Sequence, residues 1–401
     1  MLYLDYCATT PPRSEVIAAV TECMNSYYGN PSSLYRLGVE AEKLLIRARE
    51  VVSAALSANP KEILFTSGGT ESNNMAVKGA AMAFRSRGNH LITTAIEHPS
   101  VYEAFRQLEQ EGFRVTYLPV DATGAVRVED LAAALTKETT LVSIMAVNNE
   151  TGRIQPVEEA GRLLKQYPRI VFHVDGVQAF GKLPVAPAKW NADLVSFSAH
   201  KFRGPKGVGM LYKRQGLQLY PLLAGGGQEQ GLRSGTENVP LIVGMAKAAR
   251  LAVEGLAGRT AHMYRLRETL VRRLAAMDGV VVHGSPRMEE MAPHVVQFSC
   301  LGYRPETLVH SLEEKEIYIS TRSACSSGDS RPSRVLLAMG LPEAEAAAGL
   351  RISFSENETI EDMERAADEL ERVLRKLAPS PGQANAYDAS FSDEKLLGGS
   401  K

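Results

Sequence analysis

Residues 194–201 read LVSFSAHK, and the turn-forming sequence GPKG follows at residues 204–207. The apolar run is typical of a buried strand, and ligands of α/β sheets bind beyond the carboxyl ends of such strands. A lysine held beside a desolvated pocket can lower its pKa and form a Schiff base. Lys201 is therefore a candidate Schiff-base residue, with Ser198 and His200 as candidate phosphate donors. The alternative is an ordinary lysine in a surface loop.

An anion-binding loop and a buried carboxylate are expected at two other strand ends. Residues 66–71 (TSGGTE) join a strand to a helix, so the backbone at Gly69 can approach an anion and Thr70 adds a hydroxyl group. Asp175 closes an apolar run, where a carboxylate needs a partner such as a protonated pyridine nitrogen, and Gln178 could reach the same ligand. The alternatives are a plain strand-to-helix turn and an aspartate that caps the next turn.

A histidine and an asparagine follow two further apolar strands. His98 precedes Pro99, which can begin a helix and place the imidazole at its N-terminus. There the ring could stack on a flat ligand or act in acid–base catalysis, although a lone histidine is more often structural. Asn149, within residues 148–152 (NNETG), could donate to a cofactor or substrate oxygen, or it could belong to an asparagine-rich turn.

Short apolar strands alternate with helical patterns over the first two-thirds of the chain. This alternation predicts an α/β fold with a mostly parallel sheet covered on both faces, and the close strand pair near 194–212 adds an antiparallel neighbour. The later part has the pattern of a smaller α+β domain. We expect a large domain at 13–255, a small domain made of 1–12 and 256–378, and a disordered tail at 379–401.

The overall composition excludes several classes of protein. Among 401 residues, 45 are Lys or Arg and 46 are Asp or Glu, so the net charge of -1 argues against nucleic acid or an anionic membrane as the main partner. No apolar run is long enough to cross a bilayer, and no secretory signal pattern is visible, so we expect a cytoplasmic protein. The four cysteines are far apart, which predicts free thiols and no metal site.

The strand-end motifs occur in an order that is characteristic of one enzyme family. Their combination resembles the cysteine desulfurases of the NifS/IscS type over residues 1 to about 377. The matching segments are 3–6, 8–11, 29–33, 65–72, 147–150, 173–175, 198–201, 225–229, 233–238 and 323–328. The resemblance implies a pyridoxal-phosphate (PLP) dependent transferase of aminotransferase fold type I. It also implies a seven-stranded, mostly parallel sheet in the large domain and a smaller α+β C-terminal domain.

The resemblance implies a role for each candidate residue around the cofactor ring. Lys201 is expected to carry PLP as a Schiff base, and His98 to stack on the pyridine ring and assist proton transfers. Asp175 is expected to pair with the ring nitrogen and Gln178 with the phenolic oxygen. Asn149 is expected beside the ring and the substrate.

The resemblance also implies the phosphate contacts, the substrate clamp and the oligomeric state. Three residues that hold the phosphate in the family have counterparts here, namely Thr70, Ser198 and His200. Thr236 is expected to reach the phosphate of a neighbouring subunit, which implies a homodimer. Arg351 is the expected clamp for the substrate carboxylate, because a bidentate arginine suits an amino acid.

Cys325, in the segment SACSSG at 323–328, is the candidate nucleophile. The segment is small and polar, as in exposed loops that move, and three nearby arginines could favour a thiolate, namely Arg322, Arg331 and Arg334. The resemblance implies that Cys325 takes the sulfur of L-cysteine as a persulfide, that L-alanine is released, and that an acceptor protein receives the sulfur. That acceptor is an iron–sulfur scaffold or a tRNA-thiolation enzyme.

The other cysteines are weaker candidates, and a few positions depart from the family pattern. Cys7 is a lesser candidate nucleophile, whereas Cys23 and Cys300 fall in a helical and a strand pattern and are expected to be structural. The departures are Tyr35, where the family often has histidine, Arg322, where glycine is usual, and Gln230, where arginine is common.

Three other activities remain open from the sequence. A transaminase or a selenocysteine lyase of the same fold would use PLP, and transamination needs no cysteine nucleophile. A non-catalytic sulfur-relay scaffold would bind PLP without releasing alanine. The presence of Cys325 downstream of a complete PLP constellation favours the desulfurase.

Overall fold

The computed structural model describes residues 1–321 and 332–377. Its strands follow the predicted apolar runs. They are β1 (Leu2–Tyr3), β2 (Ile63–Thr66), β3 (His90–Thr94), β4 (Arg114–Leu118), β5 (Thr139–Met145), β6 (Val171–Asp175), β7 (Leu194–Ser198), β8 (Gly209–Lys213), β9 (Val280–His283), β10 (Val295–Cys300), β11 (Ile317–Tyr318) and β12 (Gly349–Ser353).

The helices lie between these strands, in the alternation that the sequence predicts. They are α1 (Ser14–Ser26), α2 (Arg36–Ala55), α3 (Gly69–Ala83), α4 (Pro99–Gln110), α5 (Val128–Ala134), α6 (Val157–Leu164), α7 (Val239–Val253), α8 (Leu256–Ala275), α9 (Pro305–Glu313), α10 (Arg334–Ala338), α11 (Glu343–Ala347) and α12 (Ile360–Lys376).

A seven-stranded sheet has the strand order β2-β8-β7-β6-β5-β3-β4. The strands β7, β6, β5, β3 and β4 pair in parallel, whereas β8 pairs antiparallel with both β7 and β2. The predicted α/β fold with a mostly parallel seven-stranded sheet is therefore confirmed. Only residues 199–208 separate β7 from β8, which is less chain than the crossover of a parallel pair requires.

Two apolar layers cover the sheet, as a parallel sheet requires. One layer packs α1, α2 and α7 against one face and includes Val16, Val52 and Met245. The other packs α3 and α4 against the opposite face and includes Val77 and Phe105. Because β5, β6 and β7 pair in parallel, the polar residues at and after their carboxyl ends lie at one edge of the sheet.

A separate apolar core belongs to the C-terminal part of the chain. The antiparallel sheet β12-β10-β9 packs with α8 and α12 around residues such as Leu270, Phe298 and Leu370. Strand β1 pairs with β11, so the N-terminus also joins this part. The boundary near residue 255 stays a proposal, supported by the packing of α7 on α1 and α2 and of α8 on α12. The predicted tail at 379–401 lies outside the described residues.

Among residues 1–321 and 332–377, no helix combines the length and the apolar composition that crossing a bilayer requires.

Candidate active site

The glycine-containing loop between β2 and α3 forms one wall of a cavity of about 370 Å³. Gly68 has a backbone φ of +155°, a value that residues other than glycine rarely adopt. A Cβ atom on Gly69 would lie 3.1 Å from Cγ2 of Val177 and 3.3 Å from Cβ of Ser198. Glycine thus lets the N-terminus of α3, with its free N–H groups and positive dipole end, open onto the cavity beside Thr70.

Asp175 ends β6 and is buried in the cavity wall. Its Oδ2 accepts a 2.9 Å hydrogen bond from Nδ2 of Asn73, and its Oδ1 accepts one of 3.0 Å from the backbone N–H of Val177. Burial raises the pKa of Asp175, although these two donors and the Lys201 charge oppose the rise. Two donors are fewer than a buried carboxylate can accept, so the site favours a further cationic or donor partner.

Gln178 lines the same cavity with an unsatisfied amide oxygen. Its Nε2 donates to the carbonyl oxygen of Cys7 at 3.1 Å. Its Oε1 is buried and has no hydrogen-bond partner within the described part of the chain. Burying such an atom costs free energy, so the amide is suited to contact a polar ligand group.

Lys201 follows β7 directly and projects into the cavity. Its Nζ donates to the carbonyl oxygens of Cys7 at 2.6 Å and Ala8 at 2.7 Å. The segment after β1 therefore lies over the lysine. His200 Nδ1 lies 3.1 Å from Oγ1 of Thr9, and burial together with Lys201 lowers the pKa of His200 to about 4. The imidazole is thus neutral at pH 7.

His98 caps the N-terminus of α4, as its position before Pro99 predicts. Its Nδ1 accepts a 3.2 Å hydrogen bond from the backbone N–H of Ser100 and lies 2.8 Å from that residue's Oγ. These contacts place the proton of the neutral ring on Nε2. Burial, followed by the charges of Lys201 and Arg334, lowers the pKa of His98 to about 4, so the ring is uncharged at neutral pH.

Arg351 reaches the cavity from β12, in the other part of the fold. Its side chain is 1% exposed. Nη2 donates to Oδ1 of Asp5 at 2.7 Å, and Nη1 donates to the carbonyl oxygen of Asn149 at 2.8 Å. The guanidinium group is therefore held in place from two sides while part of it still lines the cavity.

The structure brings together most of the residues predicted from the sequence. One cavity is lined by Gly69, Thr70, His98, Asn149, Asp175, Gln178, Ser198, His200, Lys201 and Arg351. Thr236 is exposed in the loop before α7, outside that cavity. Cys325 and the neighbouring Arg322 and Arg331 lie outside the described residues.

Sequence reasoning missed three residues that hold these side chains. Asn73 lies on α3 and contacts Asp175, and Ser100 bridges Asn73 and His98 through its Oγ. Asp5 pairs with Arg351. The only available signal was weak: Asn73 follows the glycine loop by about one helical turn, on the helix face that turns towards the site.

The comparisons with known proteins agree with this geometry. The profile of the family described as Aminotransferase class-V matches residues 2–366. A protein of Lactobacillus delbrueckii subsp. bulgaricus named "NifS/IcsS protein homolog" is 47% identical over 386 residues, which cover 94% of this chain and 99% of that protein. "Cysteine desulfurase IscS" of Clostridium botulinum is 44% identical over 94% of each chain.

The chain belongs to the class-V aminotransferase family, in its NifS/IscS cysteine desulfurase group.

A solved structure described as a NifS-like protein supports the same assignment at the level of the fold. It superposes with a TM-score of 0.88 at 41% identity and covers 94% of this chain and 100% of its own. The predicted enzyme class, a PLP-dependent cysteine desulfurase, is thereby confirmed.

The cavity has the groups that PLP requires of a protein. The buried Asp175 carboxylate suits a protonated ring nitrogen, and the unpaired amide oxygen of Gln178 suits a hydroxyl donor on the ring. The N-terminus of α3, which a Cβ atom at Gly69 would crowd, suits the phosphate. Lys201 has the side-chain amine that a Schiff base with the cofactor would require. The donor set therefore fits the cofactor of this family.

The described cysteines differ in their access to the cavity. Burial raises the pKa of Cys300 to about 12 and also raises that of Cys23, so both remain protonated thiols at neutral pH. Cys7 is buried and lines the cavity beside Lys201. Cys7 is thus the one described thiol that an experiment must separate from Cys325.

Two of the positions that depart from the family pattern lie away from the described cavity. Tyr35 precedes α2 and is 60% exposed. Gln230 has a left-handed backbone with a φ of +64°, and its Nε2 donates to the carbonyl oxygen of Lys61 at 2.8 Å. Neither substitution changes a group that lines the cavity.

Proposed function

We propose that this protein removes the sulfur of L-cysteine in the Lys201 cavity, releases L-alanine, and passes the sulfur through Cys325 to an acceptor protein. The observation that carries the proposal is the convergence of Lys201, Asp175, His98 and Arg351 on one cavity. These residues supply an amine, a carboxylate, a neutral imidazole and a carboxylate clamp, as the reaction requires of an amino-acid substrate.

Arg351 and Asn149 orient the substrate. The Arg351 guanidinium group is already held by Asp5 and by the carbonyl of Asn149, so little side-chain entropy is lost when a carboxylate binds. A bidentate pair with the substrate carboxylate fixes the α-carbon relative to Lys201. Asn149 contacts the substrate in this proposal, and its position on the cavity wall supports that role.

Lys201, Asp175 and His98 carry out the proton chemistry and support the ring. PLP, when bound, withdraws electrons from the α-carbon of the substrate. Asp175 keeps a proton on the ring nitrogen, and Gln178 contacts the phenolic oxygen. With the substrate bound, Lys201 Nζ would take the α-proton. His98 covers the ring and assists proton transfer through Nε2, since Nδ1 is occupied by Ser100.

Cys325 receives the sulfur of the substrate. The Cys325 thiolate attacks the substrate sulfur, and the new S–S bond forms as the bond between that sulfur and the substrate β-carbon breaks. The electron pair of the broken bond stays with the β-carbon, which takes up a proton and becomes the methyl group of L-alanine. Cys325 is left as a persulfide, ready for transfer to another thiol.

The phosphate of the cofactor is held by Thr70, Ser198 and His200 in this proposal, at the N-terminus of α3. Thr236 completes the phosphate site of a second copy of the chain in a homodimer. Its exposed position outside its own cavity supports that role. Large apolar side chains that are exposed on and after α1 support a subunit interface there, namely Ile17, Met24, Tyr28, Leu34 and Tyr35.

The acceptor is an iron–sulfur scaffold or a tRNA-thiolation enzyme, and the reaction takes place in the cytosol. Relatives named "Cysteine desulfurase IscS" support a sulfur-donating role of this kind. The near-neutral charge of the chain supports delivery to a protein rather than directly to nucleic acid.

Release of alanine and sulfide from L-cysteine, with a thiol reductant present, tests the proposal. Wild type and Cys7→Ala should both turn over, whereas Cys325→Ala should lose release while it keeps the absorbance of bound PLP. Equal release by wild type and Cys325→Ala would contradict the persulfide mechanism. Loss of release in Cys7→Ala alone would transfer the role to the thiol inside the cavity.

A further inference from the structure

A buried lysine lies directly behind Lys201, on the side away from the active-site cavity. Lys182 is 9% exposed, in the turn that follows β6, and its Nζ donates a hydrogen bond to the backbone carbonyl of Lys201. The carbonyl of Lys182 accepts a 2.7 Å hydrogen bond from Oγ1 of Thr260 on α8. The side chain of one lysine is thus fixed against the backbone of the other.

The charge of Lys182 is poorly compensated within the described residues. The carboxylate that acts on it is that of Glu356. Glu356 also accepts from Arg13 and lies 3.6 Å from Arg203 and 3.9 Å from Arg259. Because three arginines share this one carboxylate, Glu356 does not neutralise all the positive charges near Lys182.

Four further titratable groups face Lys182, and of these Cys7 alone acts to favour its charged form. They are Cys7, Lys201, His200 and His294. Both histidines have a pKa lowered chiefly by burial, so they are neutral at pH 7. Burial, together with Lys201, likewise lowers the pKa of Lys182 to about 8, which leaves it mostly charged at pH 7.

We infer that Lys182 is a positioning residue for Lys201, which it holds by the backbone while its buried positive charge favours the neutral form of the Lys201 side-chain nitrogen. A like charge close to an amine disfavours the protonated amine. A neutral Lys201 can attack an aldehyde and accept a proton, whereas a protonated one can do neither. The inference rests on the proposed role of Lys201.

Three variants of Lys182 and one control separate the effect of its hydrogen bond from that of its charge. Lys182→Gln keeps a donor without the charge, Lys182→Met removes both, and Lys182→Arg keeps the charge. Lys213→Gln is the matched control, because Lys213 is also buried and donates to a backbone carbonyl, that of Leu217 at 3.2 Å. Each variant is loaded with PLP, and the absorbance of the Lys201 Schiff base is titrated with pH.

The midpoint of this titration should rise by about one pH unit in Lys182→Gln and Lys182→Met, since loss of a neighbouring positive charge favours protonation. The acidic limb of the pH profile of kcat for alanine release should move to higher pH by the same amount. At a pH below the midpoint, kcat should therefore fall about tenfold. Lys213→Gln should leave both at their wild-type values. Unchanged midpoints in the Gln and Met variants would overturn the inference.

Lys182→Arg decides the question if the uncharged variants do not fold. A guanidinium group stays charged above pH 8, where Lys182 itself loses its proton, so the midpoint should lie at or below that of wild type. A midpoint above wild type would overturn the inference. A Schiff base that persists in Lys201→Ala would instead refute the proposed role of Lys201, so the two failures are distinguishable.

Discussion

Nδ2 of Asn73 donates a 2.9 Å hydrogen bond to Oδ2 of Asp175, although the two residues are 102 positions apart in the chain. This contact links the helix that follows the glycine loop to the carboxylate at the end of β6. Both sides of the candidate cofactor site, the phosphate end and the ring-nitrogen end, are thereby fixed to a single helix, α3.

Removal of this contact should weaken the cofactor site. In Asn73→Ala we expect PLP to bind about tenfold more weakly, since a hydrogen bond to a charged group contributes roughly 1.5–3 kcal/mol. Asn74→Ala is the control, because the Asn74 amide donates to the backbone carbonyl of Thr70 instead. Equilibrium titration of the stripped proteins with PLP measures the affinities. Equal affinities in the two variants would show that Asn73 does not support Asp175.

A methyl group at Gly69 should enter the space reserved for the phosphate. In Gly69→Ala we expect the affinity for PLP to fall about tenfold, because the added Cβ lies only 3.1 Å from Val177 and the neighbouring walls must move. Gly258→Ala, at an exposed position of α8 with nothing within 4 Å of the added atom, should bind PLP as wild type does. The same titration compares them, and tight binding by Gly69→Ala would argue against this phosphate position.

Replacement of the carboxylate clamp should affect substrate binding more than cofactor binding. Arg351→Lys keeps a positive charge beside Asp5 but loses the planar fork, so the KM for L-cysteine should rise at least about tenfold while PLP stays bound. Arg47→Lys is the control, because the Arg47 side chain is 74% exposed and pairs with Glu50 at the surface. Steady-state alanine release measures KM. A change in kcat alone, with KM for L-cysteine unchanged, would contradict the role of Arg351 as the clamp.

The buried carboxyl group of Glu97 should make stability depend on pH. Burial raises the pKa of Glu97 to about 8, although its Oε1 accepts from Thr94 Oγ1 at 2.8 Å and from the Met145 backbone at 3.0 Å. Between pH 4.5 and 8 the folded protein therefore holds a proton that the unfolded chain releases. The contribution of Glu97 to the free energy of unfolding thus falls as pH rises through this range.

Glu97→Gln removes this titration while it keeps the shape of the side chain. The Tm of the variant relative to wild type should increase from pH 5 to pH 8, with a free-energy difference on the order of a few kcal/mol. Glu62→Gln, at a partly exposed carboxyl group outside the cavity, is the control. Thermal unfolding followed by circular dichroism gives the two series. Parallel curves for Glu97→Gln and wild type would mean that Glu97 is ionised in the folded protein.

Much of the fold and part of the site follow from local sequence. The strands β5, β6 and β7 are rich in apolar residues, and each has polar residues at or after its carboxyl end, so Asn149, Asp175 and Lys201 can be assigned to strand ends without a structure. Parallel pairing then places those ends at one edge of the sheet. Cys325 and Thr236 remain predictions, as do the individual roles of the residues that line the cavity.

The supporting contacts follow from the tertiary structure alone. Asp5 and Arg351 are 346 positions apart, and the carbonyls of Cys7 and Ala8 reach Lys201 across more than 190 positions. In the sequence Lys182 has the pattern of an ordinary loop lysine, yet in the structure it lies buried behind Lys201. Hydrophobic periodicity is a property of neighbouring residues and can be read along the chain. The partner of a buried charge depends on which distant segment the fold returns to it, and the packing of the complete chain decides that.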